Sequence, residues 1–191
     1  MRKSEAEEHL KKSTVKIDTP YSEGSGFFID KNLIATCYHV IKGAKAKEIT
    51  IVWQGVSYQA TSIEANEKDD LALLSVKIDT KHPTVQIDRT IETGDECYSF
   101  GFPTANERFR HSGDTLTFKS EGDNGELLKF KDGHFQSGFS GSPILNYKTL
   151  KVCGVIKGTR DNYSDLGGRG IPISKLLDFK SLDIDDNGSI F

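Results

Sequence analysis

The sequence predicts an all-β protein of two six-stranded antiparallel β-barrels, and three observations carry that expectation. Its 191 residues hold many short apolar runs separated by turn residues, with no long stretch of helical periodicity. Eighteen glycines and a hydrophobic content of 36% suit a globular β-protein with many turns. A connector rich in Lys, Asp and Pro, over residues 77–90, leaves six apolar runs on either side.

Residues 1–13 are charged and helix-prone. The first six candidate strands follow at 15–17, 26–29, 33–36, 49–53, 58–63 and 71–76. The third ends in a histidine and turns into a short helical segment, and the sixth opens on an aspartate. Beyond the connector come candidate strands at 97–100, 115–118, 127–130, 143–145, 152–156 and 170–173, then a short helix over 174–180. The expected organisation is therefore an N-terminal segment (1–13), a first barrel (14–89), a second barrel (90–173) and a C-terminal helix with a tail (174–191).

Charge and composition narrow the function classes. A net charge of −3 with no long block of like charge argues against a nucleic-acid partner. The N-terminus lacks the apolar core of a secretory signal, and no apolar run approaches a membrane span, so the expected location is cytoplasmic. Cys37, Cys97 and Cys153 are odd in number, widely spaced and without metal-ligand pairing, and are expected to be buried reduced thiols.

The chemistry-bearing segment is Gly138-Phe139-Ser140-Gly141-Ser142-Pro143. Glycines beside a serine let the backbone aim two N–H groups at one spot next to the hydroxyl, which is what an oxyanion hole requires. Upstream lie His39, closing the run that begins at Leu33, and Asp70, directly before Leu71-Ala72-Leu73-Leu74. A serine hydroxyl is a poor nucleophile at neutral pH; an imidazole must take its proton and a carboxylate must hold that imidazole in the right tautomer. Each residue also has a plain structural use, as a capping histidine or a turn-forming aspartate. The three together, in the order His, Asp, Ser, favour the catalytic use.

On these residues the chain resembles the trypsin-like serine proteases, and within them the disulfide-free bacterial branch that includes the high-temperature-requirement, or Deg-type, proteases. Four segments carry the likeness: Gly24-Ser25-Gly26-Phe27-Phe28-Ile29, the histidine segment, Asp70-Leu71-Ala72-Leu73-Leu74 and Gly138 to Leu145, with a fainter echo in Gly170-Ile171-Pro172-Ile173. The resemblance implies a chymotrypsin-type pair of barrels with the active site in the cleft between them. It implies His39 as general base, Asp70 as its orienting carboxylate (Asp69 being the rival), and Ser140 as nucleophile, with the N–H groups of Gly138 and Ser140 as oxyanion hole. It implies a peptide or protein substrate, no cofactor for the chemistry, and an acyl-enzyme.

Two departures bear on regulation. The residue before the nucleophile is Phe139 where zymogens carry an aspartate, and an Ile-Val-Gly-Gly-like activation site is not found near the start of the sequence. Activation by a freed amino terminus is therefore not expected, and control is assigned to loop ordering, a partner or an attached module. Counting from the nucleophile places His134 at the base of the primary specificity pocket, with Thr159 and Gly170 near its walls. A non-acidic base argues against cleavage after Lys or Arg; both an acidic-or-polar and a small-or-apolar preference remain open.

Residues 179–191 resemble the start of an EF-hand calcium loop, with oxygen ligands at Asp183, Asp185 and Asn187, a glycine at 188 and a carbonyl at Ser189. The bidentate glutamate position falls beyond Phe191, so calcium is expected only in a longer chain, and an Asp/Asn-rich tail is the alternative. Against the peptidase stand a latent or non-catalytic peptide-binding module of the same fold and, more weakly, an esterase using the same triad.

Overall fold

The computed structural model describes residues 1–105, 107–123, 126–159 and 167–190. Among them are twelve strands: β1 (Thr14–Asp18), β2 (Glu23–Asp30), β3 (Leu33–Cys37), β4 (Thr50–Trp53), β5 (Val56–Asn66), β6 (Leu71–Val76), β7 (Glu96–Gly101), β8 (Asp114–Asp123), β9 (Leu128–Lys131), β10 (Pro143–Asn146), β11 (Lys151–Thr159) and β12 (Gly168–Pro172). They close into two antiparallel barrels, ordered β1-β2-β3-β6-β5-β4 and β10-β11-β12-β9-β8-β7. The expected all-β, two-barrel architecture is the observed one.

Four helices decorate the barrels: α1 (Lys3–Ser13), α2 (Tyr38–Ile41), α3 (Glu107–Ser112) and α4 (Ile173–Lys180). Helix α1 buries Ala6 and Leu10, four residues apart on one face, and the Trp53 indole donates to the Lys12 carbonyl at 2.8 Å, tying the helix end to β4. Helix α3 is absent from the sequence expectation for a physical reason. None of its six residues is buried, so it carries no apolar stripe to reveal it.

One hydrophobic cluster runs from the first barrel (Phe27, Phe28, Ile34, Leu71, Leu73) to β10, β11 and Leu176 and Leu177 of α4. A smaller cluster fills the second barrel, where Phe118, Phe130, Phe135 and Phe139 pack around Cys97 and Cys153. Burying each such phenylalanine contributes about 1.5–3 kcal/mol. The connector belongs to both halves: Val85 N–H donates to the Phe28 carbonyl (3.0 Å), and Val152 N–H to the Gln86 carbonyl (2.8 Å). No helix among the described residues is long and apolar enough to cross a membrane.

Candidate active site

Strand register brings the first two site residues together. In the β3–β6 pair Cys37 lies opposite Leu71, so the residues just after Cys37 meet the residue just before Leu71. There Tyr38 N–H donates to the Asp70 carbonyl at 3.0 Å. The His39 backbone N–H donates to Asp70 Oδ1 at 2.9 Å, and His39 Nδ1 lies 2.8 Å from Asp70 Oδ2. Asp70 reaches this position in the left-handed region (φ +57°), which aspartate tolerates better than most side chains. Burial pushes the Asp70 carboxyl pKa up, but the ring and backbone hydrogen bonds of His39, with the charges of His39 and Lys157, outweigh it and hold the group below the ordinary carboxylate value.

Asp69 faces elsewhere. Its carboxylate takes Lys175 Nζ at 2.8 Å and the Asn66 amide at 2.9 Å, and the Lys175 bond, against a small cost of burial, lowers its pKa. Of the two adjacent aspartates, one meets the imidazole and the other fastens α4 to the β5–β6 turn.

Ser140 sits in the turn before β10. Gly138 and Gly141 take φ of +98° and +89°, and a β-carbon on Gly141 would lie 2.0 Å from the Ser25 carbonyl oxygen. Only glycine fits there. Backbone bonds fix the peptide planes: Thr104 N–H donates to the Ser137 carbonyl (2.9 Å), Ser142 N–H to the Phe139 carbonyl (2.9 Å) and Gly141 N–H to the Ile156 carbonyl (2.8 Å). In a trans peptide the N–H points opposite its carbonyl, so the Gly138 and Ser140 N–H groups are turned away from Thr104 and Ser142. Among the described residues neither donates in a backbone bond of this turn.

Both barrels meet on β11 at two successive residues, Ile156 and Lys157. The Ile156 carbonyl that accepts from Gly141 also accepts from the Cys37 thiol at 3.2 Å. The next residue spans the cleft: the Lys157 carbonyl accepts from Ser140 Oγ at 3.0 Å, while Lys157 Nζ lies 3.9 Å from Asp70 Oδ2. The Ser140 hydroxyl thus donates to Lys157 instead of the imidazole. Sequence inspection gave Lys157 no such place; a lysine in a strand carries no signal that its carbonyl and its ammonium serve two sides of a site.

Cys37, His39 and Asp70 are the cluster of potential metal ligands found among the described residues, with ligand atoms within 4.8 Å of one another. Burial, then the Asp70 charge, push the Cys37 thiol pKa up. It is a protonated donor to Ile156, not a thiolate ligand. All three cysteines are buried and unbridged.

The pocket residues are placed differently from the count. His134 is exposed, whereas the base of a closed pocket must be shielded. The next residue, Phe135, turns inward against Phe118 and Phe130 and packs so tightly on Gly168 that a β-carbon there would lie 2.5 Å from its ring. Gly170 is buried in β12, with Ile144 and Phe130 filling the space beside it. The Thr159 side chain lies outside the described residues.

The tail residues form a turn docked on the connector. Asp185 Oδ1 accepts from the backbone N–H groups of Asn187 and Ser189, both at 2.9 Å, and Ile87 N–H donates to the Gly188 carbonyl at 2.7 Å. One oxygen of the proposed ligand Asp185 is therefore spent on its own turn, an arrangement that aspartate makes in metal-free turns as well. Asp183 is exposed and precedes the Ile184–Ile190 bridge.

Two closed antiparallel barrels with a histidine–aspartate pair on one and a glycine-flanked serine on the other define a chymotrypsin-like fold. Residues 24–155 match the family model described as "Trypsin-like peptidase domain", and the chain belongs to that family. Among curated proteins, serine protease HTRA4 of Mus musculus is 27% identical over 151 residues, covering 71% of this chain and 31% of the mouse protein. The chain thus spans about a third of the length of that relative. Among solved structures, the serine endoprotease of Yersinia pestis superposes with a TM-score of 0.79 at 21% identity, over 93% of this chain and 65% of that one. The Rv3671c protease of M. tuberculosis in its active form gives 0.77 at 19% identity, over 92% and 82%, and its inactive form gives 0.76 at 19%, over 93% and 91%. Both forms of that protease share the fold of this chain.

Proposed function

We propose that the protein is a serine endopeptidase in which Ser140 Oγ attacks the scissile carbonyl, His39 takes the proton, and Asp70 holds the imidazole and stabilises its charged form. The proton then passes to the leaving amine, and water hydrolyses the acyl-enzyme by the same route. The Gly138 and Ser140 N–H groups receive the oxyanion. The observation that carries this assignment is the bridge at Lys157, whose carbonyl meets Ser140 and whose ammonium meets Asp70, so that groups from two barrels share one cleft.

The Ser140 hydroxyl's bond to Lys157 favours a second reading, a resting site that is latent until a ligand or partner reorders it. Rotation about one side-chain bond redirects the hydroxyl, and such hops take picoseconds to nanoseconds, so we treat this as a resting rotamer of an active enzyme. Control by a partner or by loop ordering belongs to the same proposal. The buried, unbridged cysteines support a reducing, intracellular setting.

The test is digestion of an unfolded protein with mass-spectrometric sequencing of the new termini, beside Ser140→Ala. Internal cleavages that are lost in the variant are expected. Turnover of a small ester with no protein cleavage would replace the endopeptidase with an esterase; neither activity from folded protein would favour the latent module.

A further inference from the structure

The segment Gly24-Ser25-Gly26 matches the family pattern, yet the triad gives its serine nothing to do. In the structure Ser25 is fully buried and spends every polar group on the nucleophile turn or its supports. Its N–H donates to the Ser140 carbonyl at 2.9 Å. Its hydroxyl donates to the Gly138 carbonyl at 2.8 Å and accepts from Phe102 N–H at 3.0 Å. Its carbonyl accepts from Thr36 Oγ1 at 2.7 Å and lies against Gly141.

We infer that Ser25 is a positioning residue: a first-barrel side chain that sets the peptide planes of the second barrel's nucleophile turn, and through them the oxyanion hole. This rests on the peptidase assignment for its catalytic consequence, though not for the clamp itself. The geometry is specific. Gly138 adopts φ +98°, a conformation open to glycine and therefore also free to leave it. Thr104 holds the plane before Gly138 through the Ser137 carbonyl, and Ser25 Oγ holds the plane after it. Without the hydroxyl, the buried Gly138 carbonyl and the partly buried Phe102 N–H both lose this partner, and the least costly relief is rotation of the 138–139 peptide. That rotation breaks the Phe139 N–H bond to the Gln136 carbonyl and turns the joints on either side of it, between the two peptide planes that carry the Gly138 and Ser140 N–H groups. A serine suits the task because one hydroxyl can donate and accept at once.

The test compares Ser25→Ala with Thr14→Val in the whole chain. Thr14→Val removes a similar buried hydroxyl-to-carbonyl bond, Thr14 Oγ1 to Leu10 at 2.8 Å, whose two partners both lie outside the turn. Two readouts are taken: kcat and KM on a peptide substrate, and amide hydrogen exchange of the peptide covering residues 136–142. Ser25→Ala is expected to lower kcat roughly 10- to 100-fold with KM within about twofold, short of the loss for deleting an oxyanion donor outright. It should also speed exchange in residues 136–142, while Thr14→Val does neither at a comparable fall in Tm. Equal kcat losses in the two variants, or unchanged exchange in Ser25→Ala, would overturn the clamp. If the wild-type chain cleaves nothing, the peptidase assignment fails, and the exchange comparison alone still decides whether Ser25 holds the turn.

Discussion

The two halves of the proposed site are held by different means. On the first barrel, His39 and Asp70 are joined directly, ring to carboxylate and backbone to carboxylate, on elements whose register already places them side by side. On the second barrel, Ser140 rides a turn with two glycines at positive φ, and its order comes from backbone bonds to β11 and from Ser25 across the barrel boundary. The base and its carboxylate are built into one half; the nucleophile depends on both halves being docked. The difference implies that changes on the first side act on chemistry with the fold intact, and changes on the second act on fold and chemistry together.

The sharpest break in that comparison is at the paired aspartates. Asp70→Asn should cut kcat/KM by roughly 10⁴-fold with Tm little changed, because the asparagine amide favours the wrong imidazole tautomer. Asp69→Asn, beside it, should leave kcat/KM within about threefold, since Asp69 serves Lys175. Kinetics and melting of the two variants test the claim; equal losses would void it.

Next comes the nucleophile turn. Gly141→Ala must place a β-carbon 2.0 Å from the Ser25 carbonyl at φ +89°, and is expected to cost at least about 2–3 kcal/mol in denaturant melts. Gly158→Ala, where a β-carbon meets nothing within 4 Å, should stay within about 0.5 kcal/mol. Similar costs at the two glycines would mean that the turn is not held as described.

A smaller effect follows from the carboxyls. Glu23 is held below its ordinary pKa mainly by its hydrogen bond from Arg110, Asp69 by Lys175, and Asp70 by His39 against burial. A folded pKa below the unfolded one contributes stability that is whole above the unfolded value and is lost as pH falls through the folded value. Tm should therefore hold from neutral pH to about 5 and fall below about 4, in the Asp and Glu titration range. A Tm that rose on acidification would contradict the pairing.

The smallest effect expected is at Lys157. Its ammonium, 3.9 Å from Asp70, opposes the imidazolium that forms during reaction, but it is partly exposed and the interaction is of order 1 kcal/mol. Lys157→Met should raise kcat two- to fivefold, by roughly that energy, and a fall of more than tenfold would assign the ammonium an aligning role instead.

Much of this was legible in the sequence because the carriers are short, local patterns. Apolar runs of three to six residues broken by turns announce strands, and each of the twelve expected runs overlaps an observed strand. His39, Asp70 and Ser140 each stand next to such a run, so locating the strands located them. What stayed hidden is set by contacts between distant segments. Ser25 and Lys157 act through 113- and 17-residue separations and partly through backbone atoms, which residue identity does not encode. His134 shows the limit of counting: between Lys131 and Ser140 the chain is not regular strand, so the residue six before the nucleophile need not face the cleft, and Phe135 turns inward in its stead. Helix α3 escaped because it buries nothing.

The measurement that bears most directly on a shared site is labelling of the purified chain by a fluorophosphonate, read by intact mass, beside Ser140→Ala and His39→Ala. A single adduct on Ser140, absent from both variants while each keeps a folded melting transition, is the expected result. An adduct that persists in His39→Ala at the wild-type rate, or no adduct on folded wild-type protein, would contradict the claim that the two barrels assemble one catalytic unit.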